Sequence, residues 1–173
     1  SLGVAERAAE IATTVPPADR PLLVASAWLH DIGYAERLRD TGFHPYDGAA
    51  FLLDERWPLR LAALVAHHSG ARFVADVRGL RAALDRFPLE DSPLADALTY
   101  ADQTVGPNGR RMDVRDRLAD TAARHGPESP NANARPWREP WILTVAQRVQ
   151  QRLRRGLLTP DQASAGFRAR MPR

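Results

Sequence analysis

The chain has 173 residues, 44% of them hydrophobic, which fits one compact domain with an appended tail. There is no Cys, so disulfides, thiolate zinc sites and a cysteine nucleophile are excluded, and any metal must be held by His and carboxylates. All 24 basic residues are Arg, which excludes a Schiff-base or phosphate-loop lysine. The formal net charge of +3 hides 10 Arg against 15 acids over residues 1–102, and 14 Arg against 6 acids over 103–173. An acidic, His-bearing half suits a cation, and a basic tail suits a phosphate-bearing or acidic partner. No apolar run approaches the ~20 residues that cross a bilayer, and no signal-peptide pattern is present. A cytoplasmic protein with no membrane partner is expected. Because the sequence opens on Ser1, residues ahead of it are expected too.

Val4, Ala5, Ala8, Ala9, Ile11, Ala12 and Val15 recur at helical spacing and predict a helix over 2–15, ended by Pro16-Pro17. Asp19 is the expected cap of a second helix, which runs through Leu23 and Ala27 to His30-Asp31 and stops at Gly33. Helices are expected over 47–56 and 58–68, split by Trp57-Pro58, with Gly70 closing the second. A weaker helix is expected over 73–86. Asp91-Ser92-Pro93 opens a helix to Asp102. "GPNGRR" at 106–111 is a loop, and Asp113 caps a helix that ends at His125-Gly126. Residues 127–140, with four Pro and two Asn, read as a linker or long loop. Ile142, Val145, Val149 and Leu153 form the stripe of a helix ending near Gly156, and Thr159-Pro160-Asp161-Gln162 reads as the capping box of a last short one. No segment alternates with period two, so the class is all-α. The expected division is a core over 1–126, the linker over 127–140 and basic helices over 141–173.

Four of the five His lie between residues 30 and 68. Leu23, Ala27 and His30 share one helix face, as do Leu94, Leu98 and Asp102, so His30 and Asp102 point inward. A buried Asp is costly unless it is paired or binds a metal. His67 and His68 sit three and four residues after Leu64. Several helices therefore deliver ligands from their last turns to one interior, as bundle metal sites do. A helix C-terminus carries partial negative charge, and a loosened last turn lets the adjacent His30 and Asp31, otherwise about 100° apart, reach one ion. Imidazole and carboxylate together suit Mn, Fe, Co, Ni or Zn better than Ca, with Mg also compatible. Taken singly, each residue has a plainer explanation: His67-His68 as a helix end, Asp102 as a solvent-facing residue, His44 before Pro45 as a loop residue.

"LHDIG" at 29–33, "TGFHPYDGA" at 41–49, "VAHHSGA" at 65–71 and "YADQTVGP" at 100–107 together resemble the HD-domain superfamily of metal-dependent phosphohydrolases, over roughly residues 1–125. The resemblance implies an HD-domain helical bundle with a central metal site, in which His30, Asp31 and Asp102 are ligands. Members with a second ion add a His and a His-His pair, which His44, His67 and His68 match. The family's first His would fall immediately before Ser1. Residues 45–70 lack the "GYP" signature of the cyclic-di-GMP members, so that substrate is not expected.

The chemistry this implies is hydrolysis of a phosphoester by metal-activated water. One or two divalent ions are expected. Asp31 would orient the water or bridge two ions. In a one-ion site His67 or His68 would donate a proton or contact phosphate; in a two-ion site both would join His44 as ligands. Arg72, after the His-His turn, and Arg110-Arg111, after the Asp102 loop, are candidate phosphate contacts. The expected partner is a small phosphorylated substrate, a nucleotide foremost, and a homo-oligomer is compatible with the sequence. A catalytically weak nucleotide-sensing module and an HD-fold di-iron oxygenase are the alternatives. Arg148, Arg152, Arg154, Arg155, Arg168 and Arg170 would suit nucleic acid, but Phe167 is the sole aromatic in 142–173, so a nucleic-acid partner is not expected.

Overall fold

The computed structural model describes residues 1–157. They form helices α1 (Leu2–Glu10), α2 (Arg20–Leu29), α3 (His44–Asp54), α4 (Leu59–His67), α5 (Ala71–Arg78), α6 (Arg81–Leu84), α7 (Pro93–Gln103), α8 (Val114–His125) and α9 (Pro130–Leu157). Short 3-10 turns at Ile32–Tyr34 and His68–Gly70 follow α2 and α4. Among the described residues there is no strand, only one bridge between Val105 and Arg111, so the protein is all-α.

Two apolar clusters hold the bundle. In the first, Val4, Ala8 and Ile11 pack with Leu23, Leu94, Leu98, Ile142 and Val149, joining α1, α2, α7 and α9. In the second, Leu52, Leu61, Val65, Val74 and Leu84 join α3 to α6. Leu22 on α2 packs against both. Burial of these side chains is the main stabilising term, roughly 1.5–3 kcal/mol for each large one.

The helix ends depart from the sequence reading for identifiable reasons. The third helix begins at His44 rather than 47, because Pro45 sits in its first turn, where a missing N–H costs nothing. The stretch 73–86 is two helices, broken where Gly79 turns left-handed (φ 68°). Asp19 does not cap α2; its carboxylate accepts from Arg60 on α4 at 2.7 Å instead. Ser92 and Asp113 do cap α7 and α8 through their side chains.

The largest correction concerns residues 127–140. They are not a loop: from Pro130 they are the first turns of α9, a 28-residue helix that packs on α5, α7 and α8. Ser129 Oγ accepts from Ala132 N at 3.1 Å, acting as the cap, and Pro130 occupies the first turn. Pro136 and Pro140 each remove one backbone hydrogen bond, but both lie on the exposed face. Burial of Ala134, Ile142, Val145 and Val149 on the other face outweighs that loss. The expected stripe is therefore present, and it belongs to the same core as the first 126 residues. The proposed capping box at 159–162 lies outside the described residues.

Candidate metal centre

The site begins where α2 stops. His30 is 1% exposed, and its Nδ1–H donates to the Ala27 carbonyl at 2.8 Å. That bond fixes the ring and leaves the Nε2 lone pair facing inward. The chain then leaves the helix at Asp31 (φ −100°, ψ 8°) and enters the turn 32–34, so His30 and Asp31 both reach the same space. His30 Nε2 lies 3.0 Å from Asp31 Oδ2 and 3.6 Å from Asp102 Oδ1. The turn presses Gly33 against the start of α3, which brings His44 into place: its Nε2 is 3.5 Å from Asp31 Oδ1 and 3.3 Å from His68 Nε2. Tyr34 stacks on the His44 ring at 3.9 Å.

His68 follows a break after α4 and repeats the arrangement of His30. Its Nδ1–H donates to the Val65 carbonyl at 2.6 Å, which aims Nε2 at the site. The next residue, Ser69, has φ 52°, a conformation that a non-glycine residue adopts only when its surroundings hold it. Here its N–H donates to Thr99 Oγ1 at 3.3 Å and its hydroxyl donates to Asp102 Oδ2. Gln103 Nε2 donates to the same Oδ2 at 2.8 Å, leaving Asp102 Oδ1 turned toward His30.

Donor atoms of Asp31, His44 and His68 all lie within 4.8 Å of one another. The donor set fits a cation. Two carboxylates crowd the buried His30 Nε2. The Nε2 atoms of His44 and His68 lie 3.3 Å apart. A divalent ion among these donors would satisfy the carboxylates and the imidazole nitrogens at once. Burial pulls His30 down, but the hydrogen bonds and charges of Asp102 and Asp31 outweigh it and raise its pKa to about 10. Burial, reinforced by His68, lowers His44 to about 3, and burial also lowers His68. Burial would raise Asp31 and Asp102, yet His30 keeps both below the usual carboxylate value. The carboxylates are charged and the imidazoles of His44 and His68 are neutral, while His30 holds a proton that an ion at its Nε2 would displace.

A cavity of about 530 Å³ opens from these residues, lined also by Arg117, Arg138 and Gln103. A neighbouring one of about 460 Å³ is lined by Ser1, Leu2 and Gly3 together with Asp31 and Asp102. The start of α1 thus lies beside the His30–Asp31–Asp102 end of the site.

The HD domain family model matches residues 1–124. The chain belongs to the HD-domain family. No curated protein and no solved structure matches it. The HD superfamily is one of metal-dependent phosphohydrolases, and the matched stretch holds a His-Asp dipeptide at His30-Asp31. In this HD domain the sequence candidates separate cleanly. His30, Asp31, His44, His68 and Asp102 converge. His67 does not: its Nε2–H donates to the Phe87 carbonyl at 2.8 Å, outside the cavity. Arg72 lies over the rings of Phe73 and Trp141, 4.7 and 5.4 Å from their centroids, and holds α9 to α5. Arg111 donates to the Gly3 carbonyl at 2.9 Å and pairs with Glu10, which ties the 106–111 loop to α1. Arg110 is exposed on that loop and does not line the cavity. The cavity arginines of this HD domain are others, Arg117 and Arg138 among them. No sequence signal singles out Arg117, and Arg138 lies in 127–140, where composition predicts a linker.

Proposed function

We propose that this HD-domain protein is a metal-dependent phosphohydrolase acting on a small phosphoester of nucleotide size. The observation that carries this reading is the position of Asp31. Its Oδ2 faces His30, which also neighbours Asp102, and its Oδ1 faces His44, which neighbours His68. One carboxylate thus joins two ligand groups, as sites for two ions require. His30, Asp31 and Asp102 would hold one ion, and Asp31, His44 and His68 a second, without His67. Mn, Fe, Co, Ni and Zn suit these donors, with Mg compatible. A bound divalent ion supplies hydroxide from water at neutral pH and draws charge from a phosphoryl oxygen.

The protein's own residues do the rest. Ser69 and Gln103 fix the Asp102 carboxylate, and the Ala27 and Val65 carbonyls fix the imidazoles of His30 and His68. The cationic wall of the cavity attracts an anionic substrate. Arg148 and Arg152 both pair with the buried Asp96, so half of the four described C-terminal arginines once considered for nucleic acid are already engaged within the protein. This supports a small substrate. The test is elemental analysis of purified protein together with hydrolysis of a phosphate-ester panel with and without added Mn. Metal bound near two per chain and hydrolysis that chelator abolishes are expected. A protein that binds no metal and hydrolyses none of the panel would rule the reading out.

A further inference from the structure

Arg138 reaches the cavity lined by the candidate metal ligands from α9, a helix outside the residues that match the HD family. Its Nε donates to the Ser69 carbonyl at 2.8 Å, and Ser69 both follows His68 and donates to Asp102. The guanidinium is therefore braced against the segment that positions two of the candidate ligands. Each of the other cavity arginines gives at least one terminal nitrogen to a partner within the protein. Arg78 gives both terminal nitrogens to the carbonyls of Thr41 and Gly42. Arg124 pairs with Asp120, and Arg117 is shared between the Val105 carbonyl, Asp120 and Thr121. Among the described residues, the terminal nitrogens of Arg138 have neither a hydrogen-bond acceptor nor a carboxylate partner.

We infer that Arg138 grips the substrate's phosphoryl group and that the substrate is a phosphomonoester, an inference that rests on the phosphohydrolase reading above. A guanidinium fork binds two oxygens of one phosphate at once. A monoester has three terminal oxygens, enough for the fork and for a contact at the metal ligands together. A diester has two, so the same oxygens would have to serve the fork and the metal ligands together. The cavity volume of about 530 Å³ lies in the range that encloses a small ligand. In the reaction, water's oxygen bonds to phosphorus as the ester P–O bond breaks. The attacking water gives up a proton, the leaving oxygen takes one up, and the products are an alcohol and inorganic phosphate.

The test uses the full chain loaded with Mn. Inorganic phosphate is the binding probe by calorimetry; p-nitrophenyl phosphate and bis(p-nitrophenyl) phosphate are the monoester and diester. Arg138→Gln is expected to weaken phosphate binding and raise KM for the monoester roughly tenfold or more, with Mn per chain unchanged. Arg138→Lys, which keeps the charge but not the fork, falls between. A measurement on the unaltered protein guards against misfolded variants: phosphate should shield Arg138 from phenylglyoxal, read by peptide mass. Undiminished phosphate affinity in a metal-loaded Arg138→Gln protein, or labelling that phosphate does not slow, overturns the assignment. Faster hydrolysis of the diester overturns the substrate class. If the unaltered protein hydrolyses neither ester, the phosphohydrolase reading and the substrate class fail, while the phosphate titration still decides the role of Arg138.

Discussion

Gly33 and His44 are in backbone contact: a Cβ at Gly33 would lie 2.1 Å from the His44 carbonyl oxygen and 2.6 Å from Gly48 N. Gly48 answers it, since its own Cβ would lie 3.0 Å from Gly33 N. The two glycines are needed for space and not for an unusual φ. They let the turn after Asp31 sit on the first turn of α3, which sets His44 beside Asp31. Gly33→Ala must push the two backbones apart. A loss of about 3 kcal/mol or more is expected in urea denaturation, with weaker metal binding because His44 moves away from Asp31. Wild-type stability in this variant would show that the contact is slack.

His67 and His68 are adjacent and should behave differently. His67→Ala leaves the Phe87 carbonyl without its donor and is expected to cost about 1–2 kcal/mol, with metal content unchanged. His68→Ala removes a donor that faces His44 and should lower metal content. Metal counting on both variants checks this, and equal metal loss in both would contradict the geometry.

Asp96 is buried on α7 and accepts from Arg148 and from Arg152, at 2.7 Å for the latter, both on α9. Removing it strands two cations, although both are partly solvated. Asp96→Ala is expected to lose about 2 kcal/mol, less than a fully buried pair would. A single cooperative unfolding transition should remain, since α9 shares the first apolar cluster. A separate early transition would mean that α9 unfolds on its own.

Glu90 gives a pH-dependent term. The Arg60 guanidinium, bonded through Nε at 2.7 Å, holds the Glu90 carboxyl below its ordinary 4.5; burial opposes this and Ser92 assists. The folded pKa is the lower one, so the unfolded chain takes up the proton first as pH falls. The contribution is complete above the unfolded pKa and disappears as pH falls through the folded one. Arg60 is half exposed, which keeps the effect small. Glu90→Gln should cost under about 1 kcal/mol at neutral pH and match the wild type near pH 3. A gap that stays constant with pH would assign the cost to packing instead.

The inward placement of His30 and Asp102 was legible because each continues an apolar helix face: Leu23 and Ala27 for one, Leu94 and Leu98 for the other. His44 was legible as a ligand candidate but not as the start of a helix, since Pro45 reads equally as a breaker and as a first-turn residue. Helical spacing could not choose between His67 and His68. The choice is made by the backbone break at His68 (ψ 149°), which ends the regular geometry. Arg72 looked free for phosphate because its partner Trp141 is distant in sequence. Arg138 was hidden by composition: four prolines in 127–140 outweighed the spacing of Ala134 with the apolar residues that follow it, and the fold resolves that conflict in favour of burial.

α9 separates the unit of inheritance from the unit of folding. The family-matched stretch ends at residue 124, yet Ile142, Ala146 and Val149 complete its core and Arg138 lines its cavity. A fragment cut at that edge would leave the faces of α5, α7 and α8 bare. Conversely, every candidate metal ligand lies before the edge, so α9 can be rewritten without altering one of them. On the reading proposed above, substrate contacts are therefore varied from this helix, while the candidate metal ligands stay with the family-matched part of the chain.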